Sequence, residues 1–526
     1  MAKILIITGR LAEPIVKKVV SEVKSEHTID ILTMPVSIAA FLTTEYVAKY
    51  LRDVARVRSG DYDYILLPGL TMGSGKIIEE TVGIKALKGT LDAYGLTEIL
   101  KLKKLDEVLS PDVPADEVMQ NSAENMARDI LLKIETSLDD SNSISVGKIR
   151  IPLNPPPIRV MAEVFEAHLF SLNEILERAK YYVESGADLV AIGFEALNPH
   201  PDKVYEFTRK LKESFDVPIA VDSSIPSEIR AAVNAGADMI VNIDLMNIDK
   251  VGDIDKDIAI VVVPRDPNTG LIPQDPDSRV KYLVETVNKA RNVGFRKVIA
   301  DAVLDPPLST FKSLIAYYRF KEVMPNVPLF MGIGNVTELI DADSIGVNAI
   351  MTMLAQEVGA SIVFTVEKSQ KARGSVLELK VASQMAAIAR YKESPPKNLG
   401  ISMLVLKDKR KAGIEVNEPY NEVIDASGEE RQFRFDPLGL FKIYVDHKNH
   451  LINALYIGRK GRILIRGGTA KAIRYEIAAR GLVSEISHAL YLGEELAKAE
   501  AALVLGKEYV QERPLFKQLK YIKVNK

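Results

Sequence analysis

The 526-residue chain contains no cysteine and no tryptophan. Without thiols it can form no disulfide, no thiolate metal site and no cysteine nucleophile. Six histidines are all that remain for a zinc site. An excess of one charge is missing too. With 68 basic and 71 acidic residues, the chain has no basic surplus with which to hold nucleic acid or an anionic membrane. Neither is expected as a partner, and a small, charged ligand fits better. No apolar run reaches membrane-spanning length. The opening MAKILIITGR is a short apolar strand followed by Arg10, without the long apolar core of a signal peptide. The expected compartment is therefore the cytoplasm.

What is present falls into three segments. Residues 1–142 alternate strand and helix (KILIITG, IDILTMPV, YDYILLPGL), which predicts a Rossmann-like α/β domain. Its GLTMGSGKI mimics a phosphate loop, but the first glycine is one residue out of place and Ile77 replaces the hydroxyl that would bind magnesium. A glycine-rich turn after a strand is the plainer reading. The polar SLDDSNSISVGK and the proline cluster PLNPPP read as a separator. Residues 143–394 then carry RVMAEV, DLVAIGF, PIAV, MIVNI, IAIVVV, KVIADAV, PLFMGIG and SIVFTV, spaced by helical segments. ESGADLV and NAGADMI repeat the order helix, glycine stop, strand. Eight such runs predict a (β/α)8 TIM barrel, with a longer doubly wound sheet as the alternative. Residues 395–526 predict a small α+β domain with ISMLVLKD, FKIYVD and NALYIG as antiparallel strands, a hairpin around His447 to His450, and two helices.

In a TIM barrel the chemistry sits where the strands end. The polar residues there are Glu163, Glu166 and His168 after the first strand, then Glu195 and Asn198, Asp222 and Ser223, and Asn242 and Asp244. Arg265 and Asp266 follow the fifth strand, Asp301 and Asp305 the sixth, Asn335 the seventh, and Glu367, Lys371 and Arg373 the eighth. Carboxylates and amides around a pocket suit a flat heterocycle rich in N–H donors and ring-nitrogen acceptors. Lys371 and Arg373, just before a helix, suit an anionic tail. Each residue also has a plain reading. Glu166, His168, Asn198, Asp266 and Glu367 suit solvated loops, Asp244 a helix cap, and Lys371 with Arg373 a solvated charge run. Asp222, Asn242 and Asp301 follow apolar runs directly, so each would be costly to bury without a partner. No ligand spacing specifies a metal, and no metal ligand is assigned, although the carboxylates suit Mg²⁺.

The stretch DLVAIGFEA…PIAVDSSIPSEIRAAVNAGADMIVNID resembles the second to fourth strands of dihydropteroate synthase and its pterin-binding relatives. The three-part layout resembles the archaeal dihydropteroate synthase-like proteins. The resemblance implies a pterin-binding TIM barrel in which Asp222, Asn242 and Asp301 recognise the pterin. Glu163, Glu195, Asp305, Asn335, Lys371 and Arg373 complete the implied substrate-binding set. The chain departs from the synthase where VMAEVFEA replaces an Asn-Val-Thr-like loop and where the eighth strand lacks an Arg-Val-His pattern. MGIGNV, in place of a Ser-Arg-Lys-like stretch, looks more like the pterin-dependent corrinoid methyltransferases.

Two functions follow from the resemblance. One is a transferase of folate or methanopterin biosynthesis that joins a pterin-methyl diphosphate to an arylamine, with Mg²⁺ accompanying the diphosphate. The other is a component that binds methyl-pterin or transfers its methyl group with a corrinoid partner. Reduced pterin is the expected ligand in both, no catalytic residue is assigned, and a homodimer is a candidate assembly. A barrel enzyme of unrelated chemistry stands as a third reading, since fold alone does not fix function.

Overall fold

The computed structural model describes residues 2–91, 93–407, 421–424, 426 and 435–516. The chain divides into two compact units, Met1–Val405 and Leu406–Lys526. No helix among the described residues is long and apolar enough to cross a membrane.

The first unit opens with four parallel strands, β1 (Lys3–Thr8), β2 (Thr28–Thr33), β3 (Tyr64–Leu67) and β4 (Lys85–Lys88), in the order β2-β1-β3-β4. Helices between the strands give the α/β alternation expected of this segment. The imitation phosphate loop is a packing turn. A Cβ on Gly75 would stand 2.2 Å from the carbonyl oxygen of Ala86 in β4, so only glycine fits there.

The stretch expected as a separator is instead ordered. β5 (Ser143–Val146) and β6 (Ile149–Pro152) form an antiparallel hairpin. Val146 and Ile151 bury their side chains in one cluster with Met161, Leu189, Ala220, Met239, Ile299 and Ile362 of the barrel interior. The polar composition of this stretch concealed two apolar residues that stop the barrel's lower end.

The barrel itself is closed. Its strands are β7 (Arg159–Val164), β8 (Leu189–Gly193), β9 (Ile219–Asp222), β10 (Met239–Ile243), β11 (Ala259–Val262), β12 (Lys297–Ala300), β13 (Leu329–Gly332) and β14 (Ala360–Thr365). Each pairs in parallel with the next, and β14 returns to β7. All the apolar runs read from the middle segment are therefore barrel strands. Within them the side chains alternate. Val160, Ala162, Val190, Ile192, Val221 and Ile240 join the cluster that packs under the helices, while Met161, Ala191, Ala220 and Val241 fill the interior.

The repeated GAD turns have a mechanical cause. After the helices Leu172–Glu184 and Pro226–Asn234, Gly186 (φ 95°) and Gly236 (φ 90°) take left-handed backbone that a side chain would resist. The aspartates that follow tie neighbouring strands together. Asp188 accepts from the Val160 N–H at 2.9 Å, and Asp238 from the Ile219 N–H at 2.8 Å.

The second unit contains an antiparallel sheet of β15 (Gly439–Asp446), β16 (Leu451–Gly458) and β17 (Gly461–Gly467) with helices Ala470–Ala479 and Ile486–Leu505. FKIYVD and NALYIG are strands as expected, and the turn at His447–His450 joins them. ISMLVLKD is a correction. Residues 401–407 carry no strand, and Asp408 lies outside the described residues. Leu404, Val405 and Leu406 are more than half exposed, with no sheet to bury one face. The third strand is GRILIRG, which the sequence reading passed over.

Candidate functional site at the carboxyl end of the barrel

The side-chain alternation that packs the interior also builds the site. Two residues beyond Met161, Ala220 and Ile299, on the same faces of their strands, stand Glu163, Asp222 and Asp301. These three carboxyl groups therefore form the top interior layer. Beside Glu163, the matching position of β8 is Gly193. A Cβ there would lie 1.7 Å from Glu163 Oε1, so the carboxylate occupies the space a side chain would fill. Asn242 breaks the alternation. Strict pleating would turn it outward with Ile240, but it adopts φ 70°, and the β10–β11 register shifts between Ile240 and Ile243. The twist brings its Nδ2 to donate to Asp222 Oδ1.

Charge and burial conflict here. Glu163 is buried and, among the described residues, has no hydrogen-bond or ion-pair partner. Burial pushes its pKa well above the ordinary carboxylate value, and the Asp222 charge pushes it further. Asp222 is raised to about 6 by burial, against the opposing hydrogen bond from Asn242. Asp301 is also raised to about 6 by burial, against hydrogen bonds from the Tyr317 hydroxyl and the Val303 N–H. Three acids that resist ionising together provide both acceptors and, when protonated, donors.

The loop after Asp301 is held under strain. Val303 is β-branched yet has φ 63°. Arg279, almost wholly buried, donates to the carbonyls of Val303 at 2.7 Å and Pro273 at 2.8 Å, and pairs with Asp305 at 3.0 Å. Asp305 is thus already occupied by a cation. Neither Arg279 nor Tyr317 is legible from the pattern of strand ends, because both lie on helices, 16 or more residues from the loop they support.

The other expected residues divide between structure and surface. Asn335 Nδ2 donates to the Leu304 carbonyl at 2.8 Å. Asp244 caps the following turn through the N–H groups of Met246 and Asn247 and pairs with Arg265 at 2.8 Å. Ser223 donates to Glu228 at 2.5 Å, Asp266 accepts from the Asn268 N–H, and Glu367 accepts from the Val376 N–H and the Tyr181 hydroxyl. Glu166 lies 3.4 Å from Lys368 Nζ. Glu195 accepts from Asn198 at 3.0 Å and meets His200 at 2.8 Å and His168 at 3.7 Å. Lys371 pairs with Asp341 at 2.8 Å, and the Arg373 charge acts on Glu367. Among the described residues, no hydrogen bond or ion pair joins Lys371 or Arg373 to the acidic layer.

Comparison with known proteins agrees with this architecture. The pterin binding enzyme family matches residues 163–365, the PterinBD-DUF4346 family residues 435–512, and a family of unknown function (DUF6513) residues 2–90. An uncharacterized protein of Methanocaldococcus jannaschii is 36% identical over 529 residues, covering 98% of this chain and 99% of that one. A dihydropteroate synthase of Clostridium beijerinckii is 24% identical over 176 residues, 30% of this chain and 61% of the synthase. Among solved structures, the 7,8-dihydropteroate synthase of Vibrio fischeri covers 48% of this chain and 100% of its own, with 20% identity and a TM-score of 0.39. The chain belongs to the family of the Methanocaldococcus protein, and its barrel is a dihydropteroate synthase-like pterin-binding domain.

Proposed function

We propose that the barrel binds a reduced pterin, with Asp222, Asn242 and Asp301 gripping its amino-pyrimidinone edge. The observation that carries this reading is the acidic layer itself, since desolvated carboxyl groups around one amide call for a flat ligand with N–H donors. The reaction proposed is displacement at a pterin-methyl diphosphate. The amine nitrogen of an arylamine attacks the methylene carbon, the C–O bond breaks, diphosphate leaves with the electron pair, and the amine releases one proton. The barrel's part is to hold the two reactants in line. The leaving diphosphate needs positive charge. Lys371 and Arg373 are the proposed source, with Lys371 exchanging the almost fully exposed Asp341 for the phosphate. Any Mg²⁺ would travel with the diphosphate as part of the substrate.

A second reading is methyl-pterin handling with a corrinoid partner. It is favoured by the engagement of Lys371 with Asp341 and by Asn335 being fixed on the Leu304 carbonyl. One experiment separates the two. Under the synthase reading, Lys371→Ala with Arg373→Ala weakens binding of the diphosphorylated pterin by roughly 2–4 kcal/mol and leaves the unphosphorylated ring unaffected in calorimetry. Under the methyl-pterin reading the double variant binds both ligands as the parent does, and Asn335→Ala does the damage. Product analysis with candidate arylamines then tests turnover.

A further inference from the structure

Two loops at the carboxyl end of the barrel bring together two histidines that the pterin reading leaves unused and Glu195, which the resemblance placed in the substrate-binding set. His168 follows β7, and Glu195 and His200 follow β8. One ligand atom from each lies within 4.8 Å of the other two. Both imidazoles present Nε2 to the same oxygen, Glu195 Oε1, at 2.8 Å from His200 and 3.7 Å from His168. The rings are stacked, 5.0 Å between centroids and 7° apart in plane.

Each member is held from behind. Asn198 occupies Glu195 Oε2 at 3.0 Å, which leaves Oε1 to face the rings. The His200 N–H donates to the fully buried Glu228 at 2.7 Å, and the His168 carbonyl accepts from Lys203 Nζ at 2.7 Å. Yet the His168 ring has no use within the described residues. Its Nδ1 is buried without a hydrogen-bond partner, and its Nε2 lies beyond hydrogen-bonding reach of Glu195. A simple His200–Glu195 hydrogen bond accounts for one histidine and leaves the other unexplained.

We propose that His168, Glu195 and His200 bind a divalent cation of the zinc type. Two imidazoles and a carboxylate are the donor set of such ions, whereas Mg²⁺ and Ca²⁺ favour oxygen alone. Ligand atoms about 2.0–2.1 Å from a tetrahedral ion stand about 3.4 Å from one another. The 3.7 Å separation is close to that value, and the 2.8 Å pair opens by about half an ångström as a hydrogen bond gives way to two metal bonds. Three protein ligands leave a fourth position for water or a substrate atom, the arrangement of reactive rather than purely structural zinc. The site goes beyond the pterin reading and stands whether or not that reading holds.

The test uses the full, untagged chain stripped with chelator and titrated calorimetrically with ZnCl₂, and in parallel with MgCl₂, at pH 7. The expected result is one zinc per chain with far weaker magnesium binding. His168→Ala and His200→Ala should each weaken zinc binding by about 100-fold, at least the loss seen when mere outer-sphere partners are removed. A His447→Ala, His450→Ala double variant serves as the control and should bind as the parent. Should an alanine variant not fold, Glu195→Gln, which removes the charge at constant volume, must show the loss instead. Absence of stoichiometric zinc binding in the parent, or parental affinity in the folded site variants, would overturn the proposal.

Discussion

β7 carries a buried ionisable group near each end, and the two are treated in opposite ways. At its start Arg159 makes a fork of 3.0 and 2.6 Å bonds to Glu135 and a 2.8 Å bond to the Arg150 carbonyl, with Asp188 at 4.0 Å. Four residues on, Glu163 is equally buried and has no such partner among the described residues. A buried ion that is fully paired is a structural element, whereas one left unpaired costs free energy that only a ligand can return. The lower end of the barrel, closed by its hairpin, is therefore built for stability, and the upper end is where the proposed pterin would be held.

Breaking the paired end should have the largest effect on folding. Glu135→Ala leaves the Arg159 guanidinium buried without its fork and should cost roughly 2–3 kcal/mol in urea denaturation, less than a wholly buried pair because Glu135 is half exposed. Pterin affinity should not change. Equal losses of stability and affinity would erase the contrast between the two ends.

The acidic end should respond with the opposite sign. Asp222 and Asp301 titrate at about 6 in the folded chain, against an ordinary 3.8. The folded state thus binds protons more tightly than the unfolded one. Stability declines as pH rises from about 4 to about 6 and stays at the lower level above that. Asp222→Asn or Asp301→Asn should therefore raise stability by about 1–2 kcal/mol at pH 7 and by almost nothing at pH 4. Denaturation curves at the two pH values decide it, and a stability loss at pH 7 would count against carboxylates penalised by burial. Glu163→Gln removes a penalty of the same sign. Burial and the Asp222 charge push Glu163 well above the usual range, so the variant should gain stability over the parent as pH rises from about 4 through neutrality. A variant no more stable than the parent at pH 7 would count against a buried carboxyl group without a partner.

Much of this was legible in the sequence because a barrel repeats one rule. Apolar runs with polar ends gave the strands, and the faces of Glu163, Asp222 and Asp301 follow from the pleat. Asn242 was legible as a strand end, but its inward turn depends on left-handed backbone and a register shift that composition does not encode. His200 escaped notice because it sits seven residues beyond the end of β8, and only the loop fold returns it to Glu195. The β5–β6 hairpin was hidden among serines and prolines, its role resting on two apolar side chains. ISMLVLKD misled in the other direction, since apolar residues make a strand only where neighbouring strands can pair with them.

The central claim is that the acidic layer holds a pterin, and one titration addresses it most directly. Reduced 6-hydroxymethyl-pterin is titrated calorimetrically into the parent chain, Asp222→Ala and Asp301→Ala at pH 7, with each variant's fold checked by circular dichroism. The account predicts losses of roughly 1–3 kcal/mol in both variants, because a ring N–H loses its acceptor, and weaker parental binding at pH 5 than at pH 7 as the two aspartates take up protons. Parental affinity in both folded variants would contradict it.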